Sequence, residues 1–174
     1  MNVAEAIRSK RAIRRFAATP LPEEVLQRIL RAGRRAQSSK NTQPWQFIVV
    51  RDPERLRALA RLGPYADHLA GAPVGVILNT PDPNQRWSIL FDAGQAAAYM
   101  QLAAWEEGVG SCLATIYAID EARDLLNFPP DWVAHVGLSL GYPADPSEMA
   151  RPPRSGGRKS VDEMFHLEEW GRKA

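Results

Sequence analysis

Residues 38–47 read SSKNTQPWQF, and the positions after Pro44-Trp45 run QFIVV, a row of strand formers. Ser38, Ser39, Asn41, Thr42 and Gln43 set hydroxyls and amides one after another before a proline and a tryptophan close the stretch. A loop that only crosses solvent has no use for that inventory. A loop that lies against a ligand does, because short polar side chains supply donors and acceptors at close range.

Outward from this loop the chain alternates helix and strand signals. Upstream, Val3 to Ser9 reads as a short helix and Arg11 to Phe16 as an extended segment. Thr19 through Pro22 opens a helix with a proline in its first turn. Val25, Leu26, Ile29 and Leu30 form one face of it, and Arg28, Arg31, Arg34 and Arg35 a solvated opposite face. Downstream, Gln46 to Val50 is a strand, and Asp52-Pro53 caps a helix bearing Leu56, Leu59 and Leu62 that stops near Gly63-Pro64. Val74 to Leu78 is a second strand. A long alanine-rich helix then runs from about Arg86 to Glu107 and ends at Gly108. Ser111 to Tyr117 reads as a third strand, Asp120 to Phe128 as a helix, and Val133 to Leu140 as a fourth strand. Alternation of this kind argues, by the general rule, for a doubly wound parallel sheet. Beyond Gly141-Tyr142-Pro143 comes an arm rich in Pro, Gly and Arg, with a helical turn opened by Ser160 and followed by Phe165, Leu167 and Trp170. It has no core of its own, so its aromatics are expected to dock on the body or on a second copy.

The 174 residues, 45% of them apolar, suit a single domain, expected over 1–174. The most apolar stretch, Ile89 to Trp105, is broken by Asp92, Gln95 and Gln101, so no membrane span is expected. Met1 to Lys10 lacks the apolar stretch of a secretion signal, and the expected location is cytoplasmic. Cys112 is the only cysteine, which rules out an internal disulfide and a thiolate metal cluster. His68, His135 and His166 are too widely spaced to suggest a metal site. The net charge of +2 conceals a basic front end. Arg8, Lys10, Arg11, Arg14, Arg15, Arg28, Arg31, Arg34, Arg35 and Lys40 stand there against Glu5, Glu23 and Glu24. That end wants an anion: a phosphorylated small molecule, a nucleic acid, or only counterions.

Three motifs are weighed for chemistry. Gly137-Leu138-Ser139-Leu140-Gly141 has the spacing of a hydrolase nucleophile elbow, with Asp162 and His166 as nominal partners. Pro143 and Pro146 leave no room for the helix that such an elbow needs, and Ser139 reads better as a buried strand residue. Gly108-Val109-Gly110 lacks the third glycine of a dinucleotide fingerprint and follows a helix, so it is a cap. In KRAIRRF, residues 10–16, Ile13 and Phe16 interleave as anchors between cations able to grip phosphate oxygens. Nucleic-acid binding by this region lacks any accompanying fold motif.

Taken in order, KRAIRRF, AQSSKNTQPWQFIVV, DAGQAAAYMQLAAWEEGVGSC, LSLGYP and GRKSVDEMF resemble the FMN-dependent nitroreductase family along nearly the whole chain. The resemblance implies an α+β fold of three layers, with a mixed, mostly antiparallel sheet wrapped by helices. It also implies an intertwined homodimer that exchanges its C-terminal arms and holds FMN at the interface. The activity implied is hydride transfer from NADH or NADPH to FMN, then of two electrons to a nitroaromatic, quinone or similar small acceptor, in a ping-pong cycle. Reductive dehalogenation, heterocycle dehydrogenation and flavin fragmentation are the alternatives within the family. Carried over by position, Lys10 or Arg11 with Arg158 would hold the FMN phosphate, Lys159 being a weaker candidate, and Arg14 would lie near N1 and O2 of the ring. Ser38, Ser39 and Asn41 would contact the ribityl chain or ring edge. Leu113, Ala114 and Thr115 would pass beside the ring, with a backbone N–H aimed at N5. The sequence departs from the family where Ala12 replaces a usual serine, Lys10 a common arginine and Ser160 a common proline. No catalytic side chain is expected, because the cofactor carries the chemistry.

Overall fold

The strand formers after Pro44-Trp45 make β1 (Gln46–Val50), an outer strand of a four-stranded sheet. The computed structural model describes residues 1–152 and 157–173. The sheet has the order β1, β2 (Val74–Pro81), β4 (Trp132–Gly141), β3 (Gly110–Thr115). Each neighbouring pair is antiparallel.

The parallel sheet expected from alternation is therefore overturned, and the register shows why. Val50 at the end of β1 pairs with Gly75 at the start of β2, so the excursion through α3 (Pro53–Ala60) returns to the end it left. Thr115 pairs with Val136 in the same way around α5 (Ile119–Leu126). These two helices decorate long hairpins. Only α4 (Ser88–Glu106) is a true crossover, joining β2 to β3, which run parallel on either side of β4. The fold is α+β, as the resemblance implied, and its parallel component is a bridge from Ala12 to Ser111 outside the named strands.

Both faces of the sheet are covered, giving three layers. On one side Val76, Leu78 and Leu138 meet Leu26 and Ile29 of α2 (Glu23–Arg34) and Met100 of α4. On the other, Ile77 and Ala114 meet Leu56 and Leu59 of α3 and Ala122 of α5. The alanines of α4 let it sit close, with Ala96, Ala97 and Ala104 all buried.

Local signals set the helix ends. The Asp52 carboxylate accepts the Arg55 N–H at 2.7 Å, and Gly108, at φ +70°, takes the left-handed conformation that ends α4. Two boundaries differ from expectation. Pro22 stands at the cap of α2 rather than inside its first turn, and Arg86, in an extended conformation, lies before α4.

Gly63 permits the closest backbone approach near β3. A Cβ there would overlap the Thr115 carbonyl oxygen. Next to it, the Leu62 carbonyl accepts the N–H groups of Tyr117 and Ala118 at 2.8 and 3.2 Å. Gly63→Ala should lower stability in urea unfolding by about 2 kcal/mol, since backbone rather than a mobile side chain must yield. An unchanged midpoint would mean that this loop is not pressed against the strand.

The C-terminal arm carries α6 (Val161–Met164), whose N-terminus is closed by a reciprocal pair: Ser160 Oγ accepts the Glu163 N–H, and Glu163 accepts the Ser160 N–H. The His166 ring stacks on Trp170 with centroids 4.4 Å apart, and Phe165 and Trp170 face solvent. The middle of the arm, residues 153–156, lies outside the described residues.

Candidate functional site

Alternation in the extended segment after α1 (Val3–Ser9) decides which of its residues face outward. The Ile13 N–H donates to the Ser111 carbonyl at 3.0 Å and its side chain is fully buried, so Ala12 and Arg14 point out. Lys10 feels the positive charges of Arg14 and Arg158. Burial first, and then those two charges, push its ammonium below the ordinary range, against an opposing pull from Cys112. Positive charge from both ends of the chain thus reaches Lys10, where an anion would relieve the repulsion. Arg11 does something else. Its guanidinium donates to the carbonyls of Arg8, Ser9 and Lys10 at 2.9, 2.9 and 3.0 Å, closing the end of α1. Of the two residues offered for one role, Lys10 is the one left facing the other cations. Lys159 is exposed beside Arg158.

The 38–47 loop is under backbone strain. Lys40, Asn41 and Gln43 have φ of 52°, 54° and 46°, a conformation that costs a non-glycine residue energy and persists where the surroundings enforce it. The enforcing contacts are specific. Asp92, buried near the start of α4, accepts the Ser39 N–H at 3.1 Å. Arg86 donates to Thr42 Oγ1 at 2.7 Å and lies 4.0 Å from Asp92, while Thr42 Oγ1 donates to the Ser39 carbonyl. The Gln43 N–H donates to Ser38 Oγ at 2.9 Å. Pro44 and Trp45 are buried, and Trp45 packs with Ala36 and Ala96. This pair nails the loop to α4, and the loop's own hydroxyls and amides largely hold its shape. Asp92 and Arg86 are site residues that sequence reasoning missed. The only signal was one carboxylate amid alanines on a helix with no polar face.

The edge of β3 completes the neighbourhood. Since the Ser111 carbonyl points away from β4 to meet Ile13, the backbone groups of Leu113 and Thr115 point the same way. The Leu113 carbonyl meets His68 Nε2 at 3.2 Å, and His68 Nδ1 meets Ser139 Oγ at 2.8 Å. Ser139 is fully buried within β4, with Cys112 O 3.3 Å from its hydroxyl. The hydrolase reading fails on these facts. The serine is sealed in the core, its histidine neighbour is His68, and His166 accepts the Gly171 N–H in the arm.

Burial, ahead of the Arg14 charge, pushes the His68 imidazole below its ordinary range, opposed by the Leu113 carbonyl and by Asp67. The unfolded chain then binds this proton more readily than the folded one. Its contribution to stability is complete above about pH 6.5, the unfolded value, and drains as pH falls below it. The melting temperature should drop between pH 7.5 and 5, and less so in His68→Gln. An equal drop in both proteins would assign the loss to other groups.

A model of the nitroreductase family matches residues 7–66 and 58–142, a span from the first helix to the end of the sheet. The chain belongs to the nitroreductase family. A protein of Methanothermobacter thermautotrophicus with the provisional name NADH dehydrogenase/NAD(P)H nitroreductase is 30% identical over 179 residues, covering 98% of this chain and 88% of its own. The solved structure of an FMN-dependent nitroreductase from Clostridium difficile R20291 superposes with a TM-score of 0.83 at 26% identity, over 97% of this chain and all of its own. A hypothetical oxidoreductase from Bacillus subtilis, YcnD, gives a TM-score of 0.84 at 26% identity, over 97% of this chain and 75% of that one.

In this nitroreductase-family chain the polar loop and the cation cluster sit at different stations along α4. Asp92 ties the loop near the helix start, whereas Gln101, nine residues on, meets Ser111 beside the N-terminal segment. At 1.5 Å per residue the two stations are roughly 14 Å apart. A cavity of about 390 Å³ opens between them, lined by Leu78, Ala97, Gln101, Leu113, Thr115 and His135 among others. Beside it, Trp87, Phe91 and Tyr99 of the α4 region expose their rings. Among the described residues no helix is long and apolar enough to cross a membrane.

Proposed function

We propose that the chain is an FMN-dependent oxidoreductase that draws electrons from NADH or NADPH and passes two to a small acceptor such as a nitroaromatic or a quinone, donor and acceptor using the site in turn. The observation that carries this reading is the crowding of charge at Lys10, which feels Arg14 beside it and Arg158 from the other end of the chain, on the segment that meets the edge of β3 through Ile13 and Ser111. The donor set fits FMN: crowded cations suit a phosphate, and free edge amides suit a ring whose rim accepts hydrogen bonds. The relatives' names support the same cofactor and electron donor.

Lys10 and Arg158 would hold the phosphate, with Lys159 and the backbone at Ala12 nearby. Arg14 would place its charge beside the pyrimidine end of the ring, favouring the reduced, anionic form. Leu113, Ala114 and Thr115 would run along the ring, the Thr115 amide toward N5. Bound there, FMN supplies the hydride and electron chemistry, so the chain needs to orient partners and exclude competing reactions.

Ser38, Ser39 and Asn41 would reach the flavin of a partner subunit, because within one chain they lie along α4 from the cations. A homodimer would also cover Trp87, Phe91 and Tyr99, and would give the arm's Phe165 and Trp170 a place to dock. The purified protein should be yellow, lose its colour anaerobically with NADH or NADPH, and elute as a dimer. A protein reconstituted with FMN that dithionite bleaches and neither nicotinamide does would overturn the proposed donor. A protein that retains no FMN would overturn the whole reading.

A further inference from the structure

An edge strand offers amides and carbonyls in alternation, and the two act oppositely on a ligand. The N–H groups and the carbonyls of Leu113 and Thr115 all point away from β4, and the Thr115 carbonyl is closed off by the backbone at Gly63. A ring rim that accepts hydrogen bonds is drawn to the first and repelled by the second. In this chain the Leu113 carbonyl is covered as well. His68 Nε2 lies 3.2 Å from it, and the Cys112 thiol donates to it weakly at 3.5 Å. A carbonyl can only accept, so Nε2 carries the hydrogen, and the neutral ring's Nδ1 is left to accept from the Ser139 hydroxyl at 2.8 Å. Ser139 is fully buried, which holds the imidazole from behind. The same ring borders a hollow lined by Arg14, Phe16, Asp67 and Gly71, so it stands between that hollow and the one that Leu113 and Thr115 line.

We infer that His68 is a positioning residue for the flavin: by donating to the Leu113 carbonyl it makes the exposed edge of β3 a surface of donors alone. The inference rests on the reading of β3 as the strand beside FMN. It accounts for a buried histidine that spans 71 positions of sequence to reach Ser139. The charged and titratable groups around the ring are Asp67 beside it in the chain, Arg14 from the N-terminal segment and Cys112 from β3.

Two amide variants separate the two contacts. In His68→Gln the terminal amide extends as far as Nε2 and can donate to Leu113, whereas His68→Asn reaches only as far as Nδ1 and keeps the Ser139 side. FMN titration of the apoprotein and the midpoint potential of the bound flavin are the readouts, with thermal melting as the control for folding. His68→Gln should stay within about twofold of the wild type. His68→Asn and His68→Phe should bind FMN about tenfold more weakly, the scale of one unmet polar group, and should lower the potential, because an uncovered carbonyl dipole opposes negative charge on the ring. If His68→Phe does not fold, the Gln and Asn pair decides. Wild-type binding of FMN with Gln and Asn alike in affinity and potential would overturn this inference alone. Failure of the wild type to bind FMN would overturn the flavin reading and this one with it.

Discussion

Replacing Lys10 and Arg158 together by alanine should empty the protein of FMN. Each would make a charge-assisted hydrogen bond to the phosphate, worth about 1.5 to 3 kcal/mol, so the double variant should lose about 3 to 6 kcal/mol, or roughly a hundred- to twenty-thousandfold in affinity. Equilibrium dialysis of the reconstituted protein reads this directly. Folding should survive and even improve, because Lys10 is held below its ordinary protonation range by burial and by its cationic neighbours. The site is under electrostatic stress without an anion, and removing cations relieves it. Retention of FMN at wild-type affinity would show that the two ends of the chain meet for another reason. Arg14→Ala should act differently, shifting the flavin potential downward more than it weakens binding.

Asp92→Ala should give the largest loss of stability from a single polar truncation. The carboxylate is buried, accepts the Ser39 N–H and faces Arg86, so its removal strands a partly buried amide and loosens an arginine. The expected cost is about 3 kcal/mol in urea unfolding. Because the strained residues Lys40, Asn41 and Gln43 depend on that anchorage, amide hydrogen exchange should accelerate across 38–43 first. Asp92→Asn keeps an acceptor oxygen and should cost less than half as much. Equal exchange rates in the loop of the alanine variant would move the source of strain to Trp45 and its packing.

Much of this was legible in the sequence because the signals are local. The 3.6-residue pattern of Val25, Leu26 and Ile29, the Asp52-Pro53 cap and the terminating Gly108 each act within a few residues, and the helices stand where these place them. Strand direction was not local. Whether α3 and α5 cross the sheet or return to the same end depends on pairings such as Val50 with Gly75 and Thr115 with Val136, which only the assembled sheet determines. The resemblance supplied the direction that alternation mistook. At the site, the chemistry of the 38–47 loop announced itself through composition. Asp92 and His68 did not, since each draws its meaning from a partner more than forty positions away, Ser39 in one case and Leu113 and Ser139 in the other. The basic front end also looked uniform, yet Arg11 serves α1, Arg15 pairs with Glu148 and Arg28 with Glu107.

The order of the strands bears on how the molecule comes off the ribosome. β4 is the last strand to be synthesised, yet it lies in the interior, between β2 and β3. Until Trp132 to Gly141 emerges, those two strands have nothing between them, and the nascent chain carries open, apolar strand edges from the completion of β2 at Pro81 until β4 is made. A stall or stop codon before that point leaves a fragment that cannot close its sheet, which makes early termination a direct route to chaperone capture and degradation.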